Sequence, residues 1–68
     1  MNQKNVQVIA DQLRCEHGDH LQHTTFTEQD VDELQQYFSS RKLDFGLIWP
    51  ITHEDVQMGV VRAGGRLV

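Results

Sequence analysis

Apolar side chains recur at helical spacing in two well-defined stretches of the chain and, less regularly, in a third. Val6, Ile9, Ala10 and Leu13 follow the i, i+3, i+4, i+7 pattern of a single helical face. This predicts a helix over residues 5–17, with Asn5 as its cap, His17 in its last turn and Gly18 taking the left-handed conformation that ends it. Further on, FTEQDVDELQQYFSSRK carries Val31, Leu34, Tyr37 and Phe38 as a buried stripe, predicting a second helix over residues 28–41. Thr27 supplies the cap, Asp30 answers it three residues later, and Phe26 is placed to pack on Val31 as a hydrophobic staple.

A related start signal returns in ITHEDVQMGV, where Ile51, Thr52, Asp55 and Val56 take the places of Phe26, Thr27, Asp30 and Val31. Two helices that begin with the same physics explain so short a match as well as duplication does. The third helix is expected over residues 53–63, with Arg62 in its last turn and a stop at Gly64 and Gly65. A hairpin competes with it. Val56, Val60 and Val61 favour strands, Gly59 costs about 1 kcal/mol in a helix, and the apolar positions do not share one face. In that version GLIWPI and VQMGVVR are strands and the glycines turn the chain into RLV. The start and stop signals favour the helix, so the expected fold is a mainly α domain of three short helices; the alternative is α+β, two helices followed by a C-terminal β-hairpin.

The apolar connector, residues 43–51, joins the second and third helices. Leu47, Ile48, Trp49 and Ile51 are expected in the core, because a domain of 68 residues needs every large side chain it has. The alternative is a partner-facing patch, since Trp and Phe anchor interfaces. Length permits one domain, residues 1–68, that buries only about 60% of its unfolded surface. A single cysteine excludes an internal disulfide and fits a reducing cytosol. No apolar leader stands at the amino end and no run approaches the roughly 18 apolar residues of a membrane span. The expectation is a soluble, cytoplasmic protein without a membrane partner.

Charge narrows the partners. Ten acidic against six basic residues give a net charge of −4, and the bases are scattered without interleaved aromatics. A protein that works by neutralising phosphates is disfavoured. The acids gather in EQDVDE, residues 28–33, first of all as a solvated helix face whose early carboxylates suit the helix N-terminus.

One segment concentrates metal-binding residue types. CEHGDHLQH supplies Cys15, His17, His20 and His23, the number and kind of ligands a tetrahedral zinc requires. Structural zinc sites instead join two short ligand pairs from separate elements, so here one loop must wrap the ion around Gly18 or two chains must share it. The simpler expectation is that these residues end the first helix and lead to the next, with Cys15 packed near the helix end and the histidines solvated. His53 is expected to be local and exposed.

Enzymatic chemistry has no foothold. Cys15 and His17 lie about 200° apart on a helix, and there is no phosphate-binding glycine loop, no HExxH and no GxSxG. The expectation is a non-enzymatic interaction domain of adaptor or inhibitor type, of the kind mobile elements also carry. It would contact another protein, or a second copy of itself, through Leu47, Ile48 and Trp49 and through Glu28, Asp32 and Glu33 of the acidic helix. The alternatives are a zinc-dependent domain built on the Cys/His cluster and a helical DNA-binding regulator. The last suffers from some ten residues, LDFGLIWPIT, where a helix-turn-helix allows about 3 or 4.

Overall fold

The computed structural model describes residues 2–68. Helix α1 spans Gln3–His17, strand β1 Thr25–Phe26, helix α2 Glu28–Ser40, helix α3 His53–Ala63 and strand β2 Arg66–Leu67. A 3-10 segment, Gly18–His23, links α1 to β1. The domain is mainly α, and residues 53–63 are helical rather than the second half of a hairpin.

The helix starts obey local rules. In α2 the Thr27 hydroxyl accepts from the Asp30 amide (3.1 Å) and Asp30 Oδ2 accepts from the Thr27 amide (2.9 Å). In α3 the same reciprocal box closes between Thr52 and Asp55, at 3.1 and 3.2 Å. Each box satisfies two backbone donors that a helix N-terminus otherwise leaves unpaired. At the far end of α3, Gly64 sits at φ +103°. Its amide bonds the Val61 carbonyl while the Gly65 amide reaches back to Val60 (2.9 Å), the Schellman arrangement that lets glycine end a helix.

Helix α1 begins earlier than its sequence suggests. Asn2, not Asn5, is the cap, its side chain accepting from the Asn5 amide (3.0 Å). Asn5 is instead fully buried, and its Nδ2 donates to Asp55 Oδ2 (3.0 Å) and to the Pro50 carbonyl (3.1 Å). Asp55 itself is 1% exposed and also accepts from the Asn2 amide through Oδ1 (3.0 Å). One buried carboxylate therefore ties the start of α1 to the start of α3.

From that point the two helices run parallel. Asn5 meets Asp55, Ile9 abuts Gly59, and the Arg14 guanidinium donates to the Arg62 carbonyl (2.7 Å). Gly59 is what permits the approach. A Cβ there would lie 2.8 Å from Ile9 Cβ and closer still to Ile9 Cγ2, distances real side chains do not adopt. The glycine that counts against a helix in isolation is required by the packing of this one.

Parallel helices deliver their following segments side by side. β1 and β2 pair in parallel, Thr25 with Arg66 and Phe26 with Leu67. Thus RLV continues beyond α3 to join the chain after α1, and does not fold back on α3 as a hairpin strand. The core gathers Ile9 and Leu13 of α1, Leu21, Phe26, Val31 and Phe38, Leu47 and Ile51 of the connector, and Val56 and Val60 of α3. Tyr37, Phe38 and Phe45 add a ring cluster, with centroids 5.3 Å apart for the Tyr37–Phe38 and Phe38–Phe45 pairs.

Two predictions follow from this arrangement. Gly59→Ala, which would stabilise an exposed helix by about 1 kcal/mol, should here destabilise the domain by about 1–3 kcal/mol through overpacking against Ile9; urea unfolding monitored by circular dichroism measures the difference. The second concerns Asp55. Burial raises its pKa, but hydrogen bonds from the Asn5 side chain, from the Asn2 and Thr52 amides and with the Thr52 hydroxyl outweigh burial and leave it below the ordinary value of 3.8. A native pKa below the unfolded one stabilises the fold fully above the unfolded value, and this contribution is lost as pH falls through the lowered native value. Unfolding free energy should therefore drop on acidification below about pH 4. Asp55→Asn sets an amide NH2 against one of those donors, so it should cost about 1–3 kcal/mol at neutral pH and flatten the acid limb.

Candidate functional surfaces

The connector begins with a turn. Beyond α2, one more turn closes on Gly46 at φ +72°, with Gly46 donating to the Leu43 carbonyl (3.1 Å) and Leu47 to that of Lys42 (2.9 Å). Then the chain runs without regular structure and bends at Trp49. Leu47 and Ile51 are buried, whereas Ile48 is 69% and Trp49 45% exposed, and Leu43 in the preceding turn is also exposed. The expectation that all of Leu47, Ile48, Trp49 and Ile51 enter the core is thus half met. An irregular segment lying on the surface of a small domain has one side against the core, and here only its two ends, Leu47 and Ile51, turn that way, while the bend at Trp49 leaves Ile48 and Trp49 outward. Leu47 belongs to the core and is unavailable to a partner; Ile48 and Trp49 form the outward part.

This outward part stands on a fixed base. The Pro50 carbonyl is held by Asn5 Nδ2, the Ile51 carbonyl by Gln35 Nε2 of α2 (3.1 Å), and Thr52 begins the α3 box. Successive bonds from all three helices thus secure the residues immediately after Trp49.

The acids of α2 serve three separate neighbourhoods. Glu28 lies beside Val31, Gln57 and Leu67 at a cleft near the strand pair. Asp32 faces His53 of α3, with Oδ1 3.2 Å from Nδ1, at the surface. His53 is half-buried and has this partner, so it is less isolated than its sequence context implies. Glu33 opens onto a groove between the end of α1 and the side of α2.

That groove has a volume of about 480 Å³. Phe26, Leu34 and Tyr37 form its apolar lining, Glu16, Asp30 and Glu33 its carboxylates, and His17 and Thr24 complete it. His17 stands edge-on to Phe26, centroids 6.0 Å apart, which places it at the junction of α1 and β1. Leu34 and Tyr37 are half-buried members of the expected core stripe, and their open sides face the groove. Residue spacing does not reveal such a site, because its lining comes from α1, Thr24, β1 and α2, which come together only in the fold.

The Cys/His cluster is dispersed. Cys15 is exposed on α1, His17 rests against Phe26, and His20 and His23 are exposed on the 3-10 segment. Among the described residues no three His, Cys, Asp or Glu side chains are placed to hold a metal ion. In the single chain, Cys15, His17, His20 and His23 therefore do not come together as one ligand set. Helical winding sends Cys15 and His17 to different sides of α1, while three residues per turn place His20 and His23 on one side of the 3-10 segment.

No family model, curated protein or solved structure matches the chain. Among the described residues no helix is long and apolar enough to cross a membrane.

The dispersed ligands make a direct prediction. The thermal midpoint measured by circular dichroism should be the same with zinc and with a chelator, since no site that folding creates would gain binding energy. A zinc-dependent rise that grows with protein concentration would instead reveal a site shared between chains.

Proposed function

We propose that the chain is a small, non-enzymatic protein-interaction domain of adaptor or inhibitor type, whose contact surface centres on Ile48 and Trp49. The observation that carries this reading is their exposure. A domain this small has few large apolar side chains to spare, yet two adjacent ones stand outward on a connector held by Asn5, Gln35 and the α3 capping box. Fixed backbone supports the reading a second time, because an anchor already ordered costs less conformational entropy on binding. Trp is also the residue type most favoured at the energetic centre of interfaces.

The acidic surface of α2 suits such a role. Glu28 and Asp32, exposed at separate points, are charges of the kind that steer association and exclude wrong partners rather than supply most of the affinity. The net charge of −4 directs the reading toward a protein partner, another chain or a second copy, and away from duplex DNA.

The test separates interface from core. Ile48→Asp should leave stability within about 0.5 kcal/mol, as surface substitutions do, while abolishing self-association in native mass spectrometry or capture of the partner retained by the unsubstituted chain. Trp49→Ala should act the same way with a somewhat larger effect on stability, given its half-buried ring. If both variants unfold an isolated monomer and change no association, the patch is core and the proposal fails.

A further inference from the structure

We infer that the groove between α1 and α2 receives a basic, partly apolar segment of a partner protein, an Arg or Lys side chain lying along Phe26, Leu34 and Tyr37 with its charged head among Glu16, Asp30 and Glu33. The inference stands apart from the Ile48–Trp49 surface, none of whose residues lines this groove.

Charge complementarity selects the occupant. No lysine or arginine lines the groove; His17 is the one basic side chain beside its three carboxylates, so the acids outnumber the bases in the lining. Glu33 has no hydrogen-bond or ion-pair partner among the described residues. Asp30 commits Oδ2 to the α2 capping box, and Glu16 accepts only a surface bond from Gln12 (3.2 Å). An apolar lining bounded by such carboxylates repels phosphates and acidic peptides. It matches a side chain whose stem is aliphatic and whose tip is cationic, which describes Lys and Arg.

The aromatic lining adds to the match. Arg41 of this chain already holds its guanidinium 4.5 Å from the centre of the Tyr37 ring without lining the groove, so the ring is shown to accept a guanidinium on its face. The volume of about 480 Å³ lies within the range of roughly 300–1,000 Å³ typical of ligand pockets. A segment with one apolar neighbour beside its basic residue would use the lining as well as the carboxylates, and this distinguishes it from a free amine.

Titration of isotope-labelled protein by NMR tests the assignment with four probes: a short peptide alternating Leu and Arg, one alternating Leu and Glu, one alternating Ser and Arg, and spermidine. The Leu/Arg peptide should bind and shift amides clustered at Phe26, Leu34 and Tyr37. The Leu/Glu peptide should not bind, and the Ser/Arg peptide and spermidine should bind more weakly. Glu33→Gln, and more so Glu16→Gln with Glu33→Gln, should weaken the Leu/Arg peptide by about tenfold with the thermal midpoint unchanged. Trp49→Ala should bind the peptide as the unsubstituted chain does, which keeps this site distinct from the other surface. The inference is overturned if no binding occurs up to about 1 mM, if the double variant binds as well as the original, if shifts scatter equally over Glu28 and Asp32, or if spermidine matches the peptide.

Discussion

The Asp55 carboxylate is the constraint on which the arrangement turns. Its two oxygens accept from the Asn2 amide, the Asn5 side chain and the Thr52 amide, so a single group closes the α3 capping box and docks the start of α1 against it. A buried charge is costly unless its hydrogen bonds are complete and its surroundings favour it. Here both conditions hold, because the carboxylate lies close to the N-terminal ends of two helices, where partial positive charge accumulates. Asn5 extends the tie to the connector through the Pro50 carbonyl. Its own Oδ1 has no partner among the described residues, a cost that the two donated bonds must offset.

Everything downstream inherits the geometry of that junction. With their starts pinned together, α1 and α3 advance in parallel, and Gly59 lets them approach as closely as Ile9 allows. Surface bonds continue the seam, Arg62 reaching Gln3 at 2.8 Å and Arg14 reaching the Arg62 carbonyl. Because the helices are parallel, the segments that follow them emerge on the same side and pair as two short parallel strands. Pairing brings Phe26 into the core and sets it against His17, which builds one end of the groove. The far end of the same junction fixes Pro50 and thereby presents Trp49. One buried ion thus positions both surfaces considered for binding.

What was legible in the sequence divides along the range of the interactions involved. The boxes at Thr27 and Thr52, the glycine stop at Gly64 and the boundaries of α2 and α3 are decided within a few residues, and local spacing predicts them well. Asn5 shows where such reasoning ends. By type and place it is a good helix cap, yet its partners Pro50 and Asp55 lie 45 and 50 residues away, and Asn2 caps the helix instead. Gly59 is a second case: its local cost is real, but the neighbour that requires it is Ile9 on another helix. The connector was legible as important and not as divided, since the side of an irregular segment that faces the core is decided by what covers it. The cysteine and histidines were legible as the right residue types, while the winding that separates them was not. The groove was least legible of all, because Leu34 and Tyr37 satisfy a core pattern and nothing in spacing tells a fully covered stripe from one left partly open.

The acidic residues show how one charge serves opposite ends in a domain this small. Asp55 is surrounded by donors, bonded through both oxygens and inaccessible, so its negative charge is consumed in holding the fold. Asp30 divides itself, one oxygen closing the α2 box while its side chain also lines the groove. Glu33 is committed to nothing among the described residues, and its charge is available to a ligand. That gradient, from satisfied to unsatisfied carboxylates, separates acids held by the fold from acids left open at the surface more sharply than their positions in sequence do. Thr27–Asp30 and Thr52–Asp55 are the same box chemically; what differs is that the first aspartate faces an open groove and the second faces the end of another helix. Burial and donor supply, rather than motif, therefore decide which of two equivalent carboxylates becomes part of the scaffold and which remains free to bind.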